Sequence, residues 1–357
     1  MLNQPNQERE LIQQFIETIR MLPGVHAKLG KRPVHAAGGP QYDANVDLRV
    51  AGKSFVLLVE AKKDVYPRDA RQVLWQFKEY AKRQNAVLLL VAESISPGAK
   101  DMLRAERIGY YDSGGSMYLP AHGVYLYIDK PLPKPMARLV RSLFSGRRAQ
   151  VLHCLLIRHA DWLGVKELAE QALVSPATAS QVLMELERFD WLVSRGQGPN
   201  KQRHLREPSA LLDAWAKQLA VIPPAPWRRY FVPSVKANEL LDRIANVFAG
   251  NGLEYAVTHE AAAQLYAPFL SSVAQVRCRI LRGPAAEAGV VALGARPVNE
   301  GANLAIIEAK SLGELLFRER VAGAHLASPI QVYLDLLRSE GRAKEMANHL
   351  RKEKIGF

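Results

Sequence analysis

Glu60, Ala61 and Lys62 close the run FVLLVEAKKD over residues 55–64, and they raise the first chemical question. A strand alternates its side chains, so Glu60 and Lys62 share one face while Ala61 takes the other. An acid and a base together there mean either a strand leaving its core for solvent or a site. Asp47 lies on the preceding strand, Gln72, Gln76 and Tyr80 recur at helical spacing further on, and Glu17 lies on the first helix. Phosphodiester hydrolysis needs carboxylates that hold a divalent metal, which polarises the phosphoryl oxygen and generates hydroxide. Mg2+ takes few protein carboxylates and keeps several waters. The expectation is that Asp47 and Glu60, with the Ala61 carbonyl, hold Mg2+ or Mn2+. Lys62 then orients the attacking water and stabilises charge on the phosphate, and Gln76 positions the water or a backbone phosphate.

These residues need a frame. Residues 8–22 carry Leu11, Ile12, Phe15, Ile16 and Ile19 at helical spacing and end at Pro23-Gly24. Residues 45–50 alternate, Ala51-Gly52-Lys53 turns, and 55–61 return, which predicts a hairpin. A helix is expected over 67–84, a doubly covered strand over 86–93, a helix over 97–107 and a strand near 109–111. That order predicts an α/β domain with a mixed sheet. Asp47, Glu60-Ala61-Lys62 and Gln76-Phe77-Lys78-Glu79-Tyr80 in this frame resemble the PD-(D/E)xK (restriction-endonuclease-like) superfamily over about residues 8–128, the last segment matching its Q-x-x-x-Y motif. Val46, not proline, precedes Asp47. The resemblance implies a metal-dependent nuclease or a nuclease-like domain that only binds DNA. Asp112, opening the Gly114-Gly115 turn of GYYDSGGSMYL, is read as a turn residue.

The proline-rich segments 129–136 and 221–227 read as linkers, giving expected domains over 1–135, 136–222 and 228–357. Between the linkers, 147–159, 165–174 and 175–192 read as three helical segments followed by a hairpin. Ser175 is the expected N-cap and Pro176 the first helical residue. The segment VKELAEQALVSPATASQVLMELERFDWLVSRGQG is similar to winged helix-turn-helix domains, in which the second helix of the pair enters the major groove. That similarity implies Thr178, Ser180 and Gln181 as base readers. It implies Arg195, Lys201, Arg203 and His204 as phosphate contacts on the wing. His153 and His159 lie on a packed helix without accompanying metal-ligand spacing and read as structural.

Beyond residue 228 the pattern of strand, turn, helix, further strands and two closing helices resembles the nucleotidyltransferase superfamily, stripped of its chemistry. VRCRI offers no paired acids, and His259 stands where glycine is expected. EYAVTHEAAAQLYAPF and SPIQVYLDLLRSEGRAKEMANHLR are similar to the AbiEi family of type IV toxin–antitoxin antitoxins, over about residues 135–350. That resemblance implies a DNA-binding transcriptional regulator, encoded beside a nucleotidyltransferase-type toxin that it counteracts.

Composition agrees with a polyanionic partner. The 357 residues carry 48 Lys+Arg against 35 Asp+Glu, a net +13. Residues 136–230 hold +6 of it, residues 1–135 hold +5 and residues 231–357 only +2. Cys154 and Cys278, each in an apolar segment, suit buried thiols in a reducing compartment. The opening residues lack a secretory pattern and no apolar run spans a bilayer. The fold expectation is α/β multidomain: a nuclease-like mixed sheet, a central winged helix and a C-terminal α/β remnant. The expected partner is double-stranded DNA in the cytoplasm, with a homodimer allowed and no membrane. Two functions stand: a regulator whose nuclease-like domain contacts DNA, and a Mg2+-dependent endonuclease, in element mobility or defence, targeted by its winged helix.

Overall fold

The computed structural model describes residues 4–30, 42–81, 87–121, 123–233 and 237–357. The chain divides into two compact units, residues 1–142 with 184–190, and residues 143–183 with 191–357.

The first unit runs α1 (Gln4–Arg20), β1 (Val25–Leu29), β2 (Ala44–Val50), β3 (Lys53–Val65), α2 (Pro67–Ala81), β4 (Val87–Ile95), α3 (Pro97–Ala105), β5 (Gly109–Asp112), β6 (Met117–Ala121) and β7 (Val124–Ile128). The strands form one sheet in sequence order. Its outer pairs are antiparallel, while β3–β4 and β4–β5 are parallel because α2 and α3 cross between them. The expected hairpin is β2–β3. Ala51 and Gly52 adopt φ of +48° and +79°, the mirror-image turn that joins twisted strands through two residues. Val50 therefore pairs with Lys53, and the whole register follows.

One face of the sheet receives α1. Leu11, Ile12, Phe15, Ile16 and Ile19 bury against Val46, Leu48, Leu57, Val59 and Val91, each side chain contributing about 1.5–3 kcal/mol. The other face receives α2 and α3, where Val73, Leu74, Phe77, Ala99 and Leu103 meet Leu58, Leu88 and Leu90. β3 and β4 are thus covered on both sides, which explains their continuous apolar runs. The expected helix over 67–84 and strand over 86–93 extend into residues 82–86, outside the described residues. A helix absent from the expectation, α4 (Lys134–Leu143), begins inside the proline-rich segment.

The chain continues with α5 (Gly146–Ile157), β8 (Leu163–Gly164), α6 (Val165–Gln171), α7 (Pro176–Arg188), whose residues from 184 on fall to the first unit, β9 (Leu192–Arg195), β10 (Gln202–Leu205) and α8 (Pro208–Ala220). The three short strands form a sheet in the order β8-β10-β9. Then follow β11 (Arg228–Phe231), α9 (Ala237–Gly250), β12 (Tyr255–Thr258), α10 (His259–Tyr266), β13 (Val276–Leu281), α11 (Pro284–Ala292), β14 (Arg296–Pro297), β15 (Leu304–Ala309), β16 (Glu319–Val321), β17 (Ala324–Leu326), α12 (Pro329–Leu336) and α13 (Ala343–Leu350). These strands form a second mixed seven-stranded sheet, ordered β14-β11-β15-β13-β12-β17-β16. Among the described residues no helix is long and apolar enough to cross a membrane.

Candidate functional site

β3 keeps residues 57–61 buried and releases Lys62 to half-exposure. Glu60 follows Leu58 on the face covered by α2, and it lies one residue beyond the last β2 pair, Ala44–Val59, where that edge of β3 opens. Its Oε1 accepts a 2.6 Å bond from Lys62 Nζ; the lysine side chain is 43% exposed and the Glu60 side chain 10%.

Asp43, not Asp47, is the acid level with this pair. The ladder sets Ala44 opposite Val59, so the next residue outward, Asp43, stands opposite Glu60. Its amide donates to the Val59 carbonyl at 3.0 Å. Its Oδ2 accepts the Ala61 amide at 2.7 Å, replacing the backbone acceptor that β2 no longer supplies. The Ala61 carbonyl points to the same open edge, because one residue's N–H and C=O share an edge of a strand.

Asp47 pairs with Val56, four residues from Glu60. At about 3.3 Å per residue that is ~13 Å along the strand. Asp47 and Glu60 are therefore too far apart to hold one ion between them, whereas Asp43 is level with Glu60. The first helix also supplies a different acid. Glu17 is exposed and accepts a hydrogen bond from Gln13, while Glu8, at the start of α1, lies within electrostatic reach of Asp43, Glu60 and Lys62. Gln7 donates to Glu93 on β4 at 3.1 Å, which pins the start of α1 near the same strand ends. Gln76 is half-buried on α2; the side chain of Tyr80 lies outside the described residues.

The four groups perturb one another. Burial pushes the Glu60 carboxyl above its ordinary range, the Lys62 bond pulls it back, and Asp43 and Glu8 raise it again. Burial alone would lower the Lys62 ammonium, but its bond to Glu60 and the surrounding acids hold it above its ordinary range. Burial and then Asp43 raise Glu8, with Lys62 opposing. Three carboxylates thus share one lysine, an excess of negative charge that a cation relieves. Among the described residues no three His, Cys, Asp or Glu side chains converge on a metal position. Mg2+ needs only one or two protein carboxylates, and the hard oxygens of Asp43 and Glu60 fit that demand.

A second lysine–carboxylate pair in this unit, between α3 and β5, is structural. Asp112 is fully buried, 2.6 Å from Lys100 Nζ, and its Oδ1 accepts the Ser116 amide at 3.1 Å across the glycine turn.

In the second unit, Ser175 caps α7: its Oγ accepts the Thr178 amide at 3.2 Å. Gln181 is exposed, and Thr178 and Ser180 are half-buried. On the hairpin, Arg195 is exposed, bonded to Gln202 and lying over the Trp162 ring at 4.4 Å. Lys201 is half-buried. Arg203 and His204 depart from the expected phosphate contacts. Strand alternation puts Arg203 on the face of buried Leu205, where it is 6% exposed and donates to the Lys201 carbonyl at 3.2 Å. His204 stacks on Trp162, its Nδ1 3.2 Å from the Asp161 carbonyl oxygen.

One buried polar centre has no local signal in the sequence. Asp335 on α12 accepts from Arg279 at 2.7 Å, Thr258 at 2.6 Å and Gln331 at 2.9 Å. His259 beside it adopts φ +58° and packs on Trp227, and His153 Nε2 lies 2.5 Å from Ser328 Oγ. No family profile, curated protein or solved structure matches the chain.

Proposed function

We propose that this chain is a DNA-binding protein whose first unit is a metal-dependent phosphodiesterase of the PD-(D/E)xK kind, directed by a winged helix within residues 143–205. One observation carries the reading: Asp43, Glu60 and Lys62 gather, with Glu8 near, just beyond the point where β2 stops pairing with β3. Asp43 and Glu60 would hold Mg2+ or Mn2+, which supplies Lewis-acid polarisation and a lowered pKa for bound water. Asp43 is fixed for that task by the Ala61 amide, which leaves its second oxygen for a ligand. Lys62, held cationic by the surrounding acids, stabilises negative charge gathering on the phosphate. The exposed Gln181 on capped α7 and Arg195 on the hairpin support duplex DNA as the target.

The test is cleavage of supercoiled, linear and branched DNA in Mg2+ or Mn2+. Lys62→Ala and Asp43→Asn should each lower the rate at least about a hundredfold, while Asp47→Asn retains cleavage. Loss with Asp47→Asn and none with Asp43→Asn sinks this site. The exposed first turns of α7 equally suit a regulator of AbiEi type. A wild-type chain that binds one operator tightly and cleaves no DNA selects that reading.

A further inference from the structure

We infer that the open trough over β1, β2 and the start of β3 seats the sugar–phosphate backbone of duplex DNA beside the cleavage site; the inference rests on the DNA reading above. The trough has a volume of about 1010 Å3, and Arg20, His26, Lys28, Asp47, Arg49 and Val56 line it. The register brings these groups together. His26 faces Arg49, Lys28 faces Asp47, Arg49 faces Ser54 and Asp47 faces Val56. Alternation sets all of them on the face that carries Asp43 and Glu60.

Farther along the sheet, α2 and α3 cover that face; here His26, Lys28, Arg49 and Ser54 are exposed, and Val56 is 43% exposed. Among the described residues Lys28 and Arg49 have no ion pair and no side-chain hydrogen bond, so both cations are available. Arg20 is anchored at the rim by its Nε bond to the Ala27 carbonyl at 2.7 Å. Three cations against one acid complement a polyanion.

Length decides which polyanion. From Asp43, at the site, to Arg49, in the trough, is six residues, about 20 Å. One DNA strand advances about 3.4 Å per phosphate along the helix axis, so site and trough together span about six nucleotides. A mononucleotide or free phosphate held at the site would leave the trough empty. The cations and the Ser54 hydroxyl along the trough suit contact with a sugar–phosphate backbone.

Asp47 gives the inference its sharpest sign. As a metal ligand it would be indispensable; in a phosphate track it repels the ligand, and Lys28 opposite partly offsets it. The experiment measures duplex DNA binding by the full chain without divalent metal from 50 to 200 mM salt. Lys28→Ala with Arg49→Ala should lower the slope of log K against log salt by about 1.8, at ~0.9 per phosphate contact. At 150 mM salt the affinity should fall about ten- to thirtyfold. Asp47→Asn should tighten binding about threefold, an increase that mere structural damage does not produce. If wild type binds DNA and the double variant binds equally well with the same slope, the trough serves another partner, such as an acidic protein, while the DNA reading stands. If wild type binds no DNA, that reading fails and takes the trough with it.

Discussion

Two charge pairs, Glu60–Lys62 in the first unit and Asp335–Arg279 in the second, have similar lengths and opposite characters. The first spans 2.6 Å and the second 2.7 Å. Asp335 has its acceptors filled by Arg279, Thr258 and Gln331, and its side chain is 5% exposed. Glu60 has Lys62 alone, beside the excess negative charge of Asp43 and Glu8. A saturated buried pair fixes structure, because removing either partner strands a charge. An unsaturated pair beside an opened strand edge keeps an oxygen for a ligand and is held there against its own electrostatics. Lys100–Asp112 shows that residue type does not decide the matter, for it joins α3 to a strand of the same sheet as Glu60 and is sealed by Ser116.

The largest effect should come from breaking the saturated pair. Asp335→Ala leaves Arg279 buried without a counter-charge, at a cost of about 3–5 kcal/mol. Denaturant unfolding should show that loss, and Asp335→Leu with Arg279→Met should recover most of it. A loss below about 1 kcal/mol for the single variant would erase the distinction between the pairs.

Acid should drive the units in opposite directions. Burial lowers His153 and His259 from 6.5 to about 4. Between those values the unfolded chain binds protons that the folded chain refuses, so stability falls as pH drops from 6.5 to 4. The effect is on the order of 3 kcal/mol for each histidine. Asp335 adds to this only at lower pH. Burial raises it, Arg279 and His259 outweigh burial, and its net lowered value keeps stability until pH falls through it, below 3.8. Glu60 runs the other way. Its raised folded value means that its contribution is complete below 4.5 and is lost as pH rises through that value. Hydrogen exchange at pH 5 and pH 7 should show acid loosening the peptides around residues 153 and 259 while tightening those around residue 60.

Much of this architecture could be read from local pattern. The five apolar positions of α1, the doubly covered β4 and the Ala51-Gly52 hairpin were all legible because period and turn chemistry act within a few residues. Which acid stands level with Glu60 was not legible from face alone, for a specific reason. Alternation tells which face a residue occupies but not its height along the strand, and Asp43 and Asp47 share a face. Height was available by counting outward from the two-residue turn: Asp47 meets Val56, and Asp43 comes level with Glu60. Arg203 carried a similar signal in its spacing from apolar Leu205. Glu8 and the Asp335–Arg279 pair had none, because partners so distant in sequence meet only after the layers pack.

The smallest expected effect probes the strain at the unsaturated pair. Replacing Glu60 by Gln keeps shape and a hydrogen-bonding oxygen but removes one of three crowded carboxylates. Lys62 keeps the company of Asp43 and Glu8, so its charge stays compensated. The first unit should gain about 0.5–1 kcal/mol at pH 7, a modest figure because Lys62 is partly solvated. The gain should vanish by about pH 4, where the wild-type carboxyl is itself protonated. Cleavage should be lost in the same variant. A site built for a ligand trades stability for function in this way, whereas Asp335→Asn should lower stability and leave any activity in the first unit unchanged. Were Glu60→Gln to destabilise the first unit at pH 7, Glu60 would be a structural residue like Asp335, and the contrast between the two pairs would collapse.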